Sequence, residues 1–64
     1  MNNKKLTSVK LLKSLYENFK LVTINTSMSL QKLTNRSIDL YLTDEDFKQK
    51  IELHDNLMVS GSNL

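Results

Sequence analysis

The sequence predicts a mainly helical chain with one short β-strand, a strand that only a second copy of the chain can complete. Three observations lead there. Thr7, Val9 and Leu11 alternate with Leu6, Ser8 and Lys10, and side chains along a strand alternate with a period of two. Leu15, Phe19 and Val22 then recur at helical spacing, as one stripe of an amphipathic helix does. The chain also has only 64 residues, no Cys and a single His. So short a chain draws little stability from its own core, and with disulfides and a metal effectively absent, oligomerisation is the remedy left.

The strand is expected over residues 5–12. A lone strand leaves its backbone N–H and C=O groups unpaired, and even a two-stranded hairpin is marginal by itself. No second strand is evident, so the partner must come from another copy. Thr7 and Val9 are β-branched, which favours an extended chain. The stretch has a second reading, because Leu6, Val9, Leu12, Leu15 or Tyr16, and Phe19 also recur at helical spacing. On that reading residues 5–24 form one long amphipathic helix.

The first helix is expected over 13–24, with Ser14 as its N-cap. Asn25, Thr26 and Ser27 make the turn, since all three types bond locally to the backbone in competition with a helix. Ser29 caps the next helix, expected over 29–42. Lys32 falls at the third helical position, where a cation opposes the helix dipole and a bound anion would reverse that penalty. Leu30, Leu33, Ile38, Leu40, Tyr41 and Leu42 are too many for one narrow stripe, and Thr34 and Ser37 join Leu33 and Tyr41 on one face. A helix apolar over much of its circumference is buried from more than one side, which again implies a second subunit. Thr43 reads as the N-cap of a third helix over 44–55, with Asp44, Glu45 and Asp46 in its first turn and Phe47 and Ile51 as an apolar pair. Residues 1–56 make one domain, and 57–64 a flexible C-terminal tail.

Net charge is +2 but uneven: Lys4, Lys5, Lys10, Lys13 and Lys20 face only Glu17 over residues 1–20. Residues 39–55 hold Asp39, Asp44, Glu45, Asp46, Glu52 and Asp55 against Lys48 and Lys50. A basic front and an acidic rear suggest an anionic partner at the N-terminal side. No apolar run approaches the ~20 residues that span a membrane. Lys10 and Lys13 interrupt any signal-peptide core. A soluble, cytoplasmic chain with no membrane partner is expected, and the lack of Cys agrees with that compartment.

Catalysis finds no footing. His54 stands alone and reads as a helix-end residue, residues 44–46 read as a helix first turn, and Gly61 is the only glycine, so no phosphate loop exists. Tyr16 and Tyr41 lie on apolar stripes. The expectation is a protein that is not an enzyme, with no cofactor and no metal site.

The order of strand, helix, polar turn and capped helix resembles the ribbon-helix-helix proteins, the group of the Arc and MetJ repressors, which read DNA with a β-ribbon. Leu6 to Leu11, the Leu15/Phe19/Val22 stripe, Ser27-Met28-Ser29, and Leu33, Ser37 and Leu40-Tyr41-Leu42 carry the resemblance, over about two-thirds of the chain. Ser27 stands where the family usually has Gly, Leu12 where Pro often opens the first helix, and Leu6 at an outward strand position that is commonly polar.

The resemblance implies an intertwined homodimer with an intersubunit two-stranded antiparallel ribbon, plus the short third helix. Thr7, Val9, Leu11, Leu15, Phe19, Val22, Leu33, Ser37 and Tyr41 would form the dimer core. Leu6, Ser8 and Lys10 would meet base edges in the major groove. Lys4, Lys5, Lys13, Ser27, Ser29 and Lys32 would contact phosphates. The implied partner is operator DNA, bound by a bacterial or archaeal repressor as a homodimer or a higher-order assembly. A plasmid-partition or antitoxin component, whose residues 43–64 dock a partner protein, is an alternative. A helical interaction module without DNA affinity is another.

Overall fold

One residue, Asp44, joins the two helices that pack on each other. The computed structural model describes residues 3–57, and within them lie α1 (Lys13–Thr23), α2 (Leu30–Thr43) and α3 (Glu45–Leu53). Among the described residues there is no strand and no sheet.

The fold class read from the sequence is thereby corrected. Residues 3–12 carry no regular structure, all of 3–11 are exposed, and Leu12 is extended at φ −63° and ψ 131°. The physical reason is the one that made a strand conditional. Among the described residues no strand offers a row of donors and acceptors to this segment, and a strand does not form without one. Without a ribbon the ribbon-helix-helix architecture, with its intertwined two-stranded dimer, does not describe this chain, which is a small all-helical fold. The long-helix reading is corrected too, since α1 begins only at Lys13. Thr7 and Ser8 lower helix propensity immediately upstream, one by β-branching and the other by local bonding to the backbone.

Ser14 lies inside α1 rather than at its cap. Leu12 holds that position and supplies no side-chain acceptor. At the other end Ile24 stays right-handed at φ −60° and ψ −32°. Thr26 closes the turn: its N–H and hydroxyl both donate to the Thr23 carbonyl, at 3.1 and 3.0 Å, and its hydroxyl accepts from the Met28 N–H at 3.1 Å. Ser29 then caps α2, its Oγ accepting from the Lys32 N–H at 3.1 Å.

The α2–α3 corner departs from the expected cap by one residue. Thr43 ends α2, with its hydroxyl donating to the Asp39 carbonyl at 2.8 Å. Asp44 takes both capping roles. Its N–H donates to the Leu40 carbonyl at 2.7 Å, while its carboxylate accepts from the N–H groups of Asp46 and Phe47 at 3.0 and 3.3 Å. An anion there also faces the positive end of the α3 dipole, where Glu45 and Asp46 add to it. Asp44→Ala is therefore expected to cost about 1 kcal/mol of stability, and Asp44→Asn much less. Chemical denaturation followed by circular dichroism measures both, and equal melting of the three proteins would contradict the cap.

Phe47 and Ile51 of α3 face Ser37, Ile38 and Tyr41 of α2 across an apolar slot of about 200 Å³. This is the molecule's core, and it is incomplete: no described residue is buried. No Cα of α1 comes within 8 Å of α2 or α3. The radius of gyration, 13.4 Å, exceeds the ~10.7 Å of a compact chain of this length. No described helix is long and apolar enough to cross a membrane.

Candidate nucleic-acid interface

The lysines assigned to DNA from the sequence divide between two places. The first is the segment preceding α1, where Lys4, Lys5 and Lys10 stand exposed on irregular backbone together with Leu6 and Ser8. Leu6 is 98% exposed. The segment forms neither helix nor strand. Lys13 opens α1 and is exposed as well.

The second place is the N-terminus of α2. The Lys32 side chain doubles back over the first turn, and its Nζ donates to the Ser27 carbonyl at 2.7 Å. That bond sets an ammonium group beside the Ser29 cap, at the end of the helix whose unpaired N–H groups already favour negative charge. Ser27, Ser29 and Lys32, assigned to phosphate from the sequence, thus share one surface.

The residues expected in a dimer core are scattered. Thr7, Val9 and Leu11 are exposed on the N-terminal segment. Leu15 and Phe19 are half-buried on α1, whereas Val22 is 74% exposed. Leu33 is 40% exposed, while Ser37 and Tyr41 turn toward α3 of the same chain. Arg36, given no role from the sequence, lies with Asn35, Asp39 and Leu40 along a shallow depression of about 460 Å³ on α2. Nothing in its spacing singled it out.

Tyr41 also makes the polar contact that ties α3 to α2. Its hydroxyl donates to Glu52 Oε2 at 2.6 Å, and the Lys48 ammonium sits 5.7 Å from its ring centroid. The hydrogen bond to Glu52 raises the Tyr41 pKa above its ordinary 10.0, helped by partial burial and by the negative charges of Glu52 and Glu45. A raised phenol pKa means that the folded chain holds this proton more tightly than the unfolded one. The pair's contribution is therefore complete below pH about 10 and is lost as pH climbs through the folded-state value. In a Tyr16→Phe background, phenolate absorbance should report a Tyr41 midpoint above 10, moving back toward it on Glu52→Gln. An unmoved midpoint would contradict the bond.

These features define a class: a small chain with three helices among its described residues, a basic, irregular segment before the first of them, and a lysine at a capped helix N-terminus. Comparison with protein-family models, with curated proteins and with solved structures found no match to this chain.

Proposed function

We propose that this chain binds double-stranded DNA through its N-terminal arm and acts as a repressor or autoregulator by occupying its operator. The observation that carries this reading is the lysine-bearing segment over residues 3–12, exposed as far as Leu11 and forming neither helix nor strand. Ten residues of extended chain span up to about 33 Å, close to one turn of B-DNA. A major groove about 12 Å wide is filled by a helix or a two-stranded ribbon, whereas a single extended chain suits the minor groove, about 6 Å wide. Basic arms on other DNA-binding folds take that route. Donors from Ser8 and Lys10 match the acceptors of A·T pairs there, and Lys4 and Lys5 suit the flanking phosphates. The ammonium of Lys32, beside Ser29 at the α2 N-terminus, offers a further phosphate contact outside the groove.

The test is fluorescence anisotropy with labelled A·T-rich and G·C-rich duplexes, and with DNA upstream of the chain's own gene, across a salt series. Affinity should fall steeply with salt, favour the A·T-rich duplex over the G·C-rich one, and be strongest on the operator. Weak binding that ignores both salt and base composition would overturn the reading. Lys32→Gln should weaken all duplexes about equally, as a lost phosphate contact does.

A further inference from the structure

We propose that α1 of one chain docks into the α2–α3 slot of a second copy, which returns the contact to give a closed two-fold dimer. Two unfinished surfaces in the structure point to each other. The first is α1, an 11-residue helix with no Cα within 8 Å of α2 or α3. Helices that short are marginal in water when nothing packs on them. Its Leu15 and Phe19 are only half-buried and its Leu21 and Val22 are 69% and 74% exposed, so the helix carries apolar surface that α2 and α3 do not cover. The second is the slot lined by Ser37, Ile38, Tyr41, Phe47 and Ile51, about 200 Å³, room for an aromatic side chain. Phe19 is the group on α1 that suits it.

Charge supports the match. Lys13 and Lys20 lie on α1 against Glu17, while the α2–α3 pair with Asp44 between its helices carries Asp39, Asp44, Glu45, Asp46 and Glu52 against Lys32, Arg36, Lys48 and Lys50. A helix of net charge +1 thus meets a surface of net charge −1, whereas two copies of α1 repel. Area supports it as well. The chain exposes 6169 Å², against about 4,200 Å² for a compact protein of its mass. The excess is about 2,000 Å² per chain, shared between the exposed residues 3–11 and the helix surfaces, and half of it would supply the ~1,000 Å² per member with which obligate homodimer interfaces begin. Reciprocal exchange uses both surfaces twice and leaves neither open, so assembly closes at two copies.

The dimer does not rest on the DNA reading, and its test contains no DNA. Sedimentation of the full chain should give a dimer; a monomer at all concentrations would overturn the proposal. Phe19→Asp should raise the dissociation constant by about 30-fold or more, as the loss of a central anchor does. Ile38→Lys, at the slot, should act alike. Mixing the two variants should restore association, because one intact α1–slot pair re-forms in the mixed dimer. Failure to restore it would overturn the pairing.

Cysteine pairing covers the case in which the charged variants fail to fold. Tyr16→Cys combined with Lys48→Cys, which leaves Phe19 and the slot lining intact, should oxidise to a covalent dimer. A disulfide-closed monomer would instead place α1 on its own slot, and a covalent dimer formed as readily by Tyr16→Cys alone would place α1 against α1. Either result overturns the exchange.

Discussion

Replacing Lys4, Lys5 and Lys10 together by Gln should lower affinity for duplex DNA by on the order of 100-fold per arm at 0.1 M salt. The estimate follows from counter-ion release. Each lysine that neutralises a phosphate contributes about 0.9 to the slope of log affinity against log salt, so Lys4 and Lys5 contribute about 1.8, and Lys10 adds the loss of its base-edge contact. Extrapolated to 1 M, where the release term vanishes, the same slope sets the loss at lower salt. The variant should therefore show two linked changes, a weaker complex and a flatter salt dependence. All three lysines lie on exposed backbone outside the helices, so helicity should not change, and circular dichroism checks this. An unaltered salt slope would remove the arm from the interface whatever happened to affinity. Ser8→Ala belongs in the same experiment. It should leave the slope alone and narrow the difference between A·T-rich and G·C-rich duplexes, since a hydroxyl that meets a base edge releases no counter-ion.

An arm acting alone would bind poorly, because ordering ten residues costs entropy that a handful of exposed contacts barely offsets. Two arms on one dimer change the arithmetic. Once the first is seated, the second binds at the high effective concentration set by the tether. The reciprocal dimer and the DNA reading are thus separate claims that strengthen one another: α1 connects each arm directly to the surface where the copies would meet.

What the sequence made legible was what is local. Ser29 is a cap because a hydroxyl three residues before a backbone N–H can reach it, and that needs no knowledge of the rest of the chain. Phe47 and Ile51 share a face of α3 for a similar reason. The choice between Thr43 and Asp44 was finer. Thr43 has its hydroxyl bound one turn back within α2, which leaves the carboxylate to cap α3. Alternation over residues 6–11 was equally visible, but alternation describes the faces of an extended chain and not its hydrogen bonds. Extended it is, around Leu12, yet no pairing follows from that. The Tyr41–Glu52 bond could not be foreseen either. It links residues eleven apart on different helices, and its existence depends on how sharply the chain turns at Asp44. The candidate interface follows the same division: the lysines of the arm were visible as a run, whereas the fold-back of Lys32 onto Ser27 depends on the path of the turn.

Phe47→Ala should detach α3 from α2. Removing a fully buried Phe costs about 3–5 kcal/mol, and this ring is half-buried, so about 2 kcal/mol is expected. In a larger protein that loss would be absorbed. Here α2–α3 is the one helix pair that packs among the described residues, and a core of this size rarely supplies more than about 3–5 kcal/mol. The nine residues of α3 are too few to stay helical unsupported, so circular dichroism should lose their signal while α2, held by its own cap, keeps most of its own. A second readout identifies the cause. With α3 released, Glu52 leaves the Tyr41 hydroxyl, and the phenol should return toward its ordinary 10.0. Phe47→Leu keeps most of the apolar volume and should preserve both signals. If helicity fell while Tyr41 kept its raised pKa, the loss would lie elsewhere in the chain, and Phe47 would not be the residue that holds the corner closed.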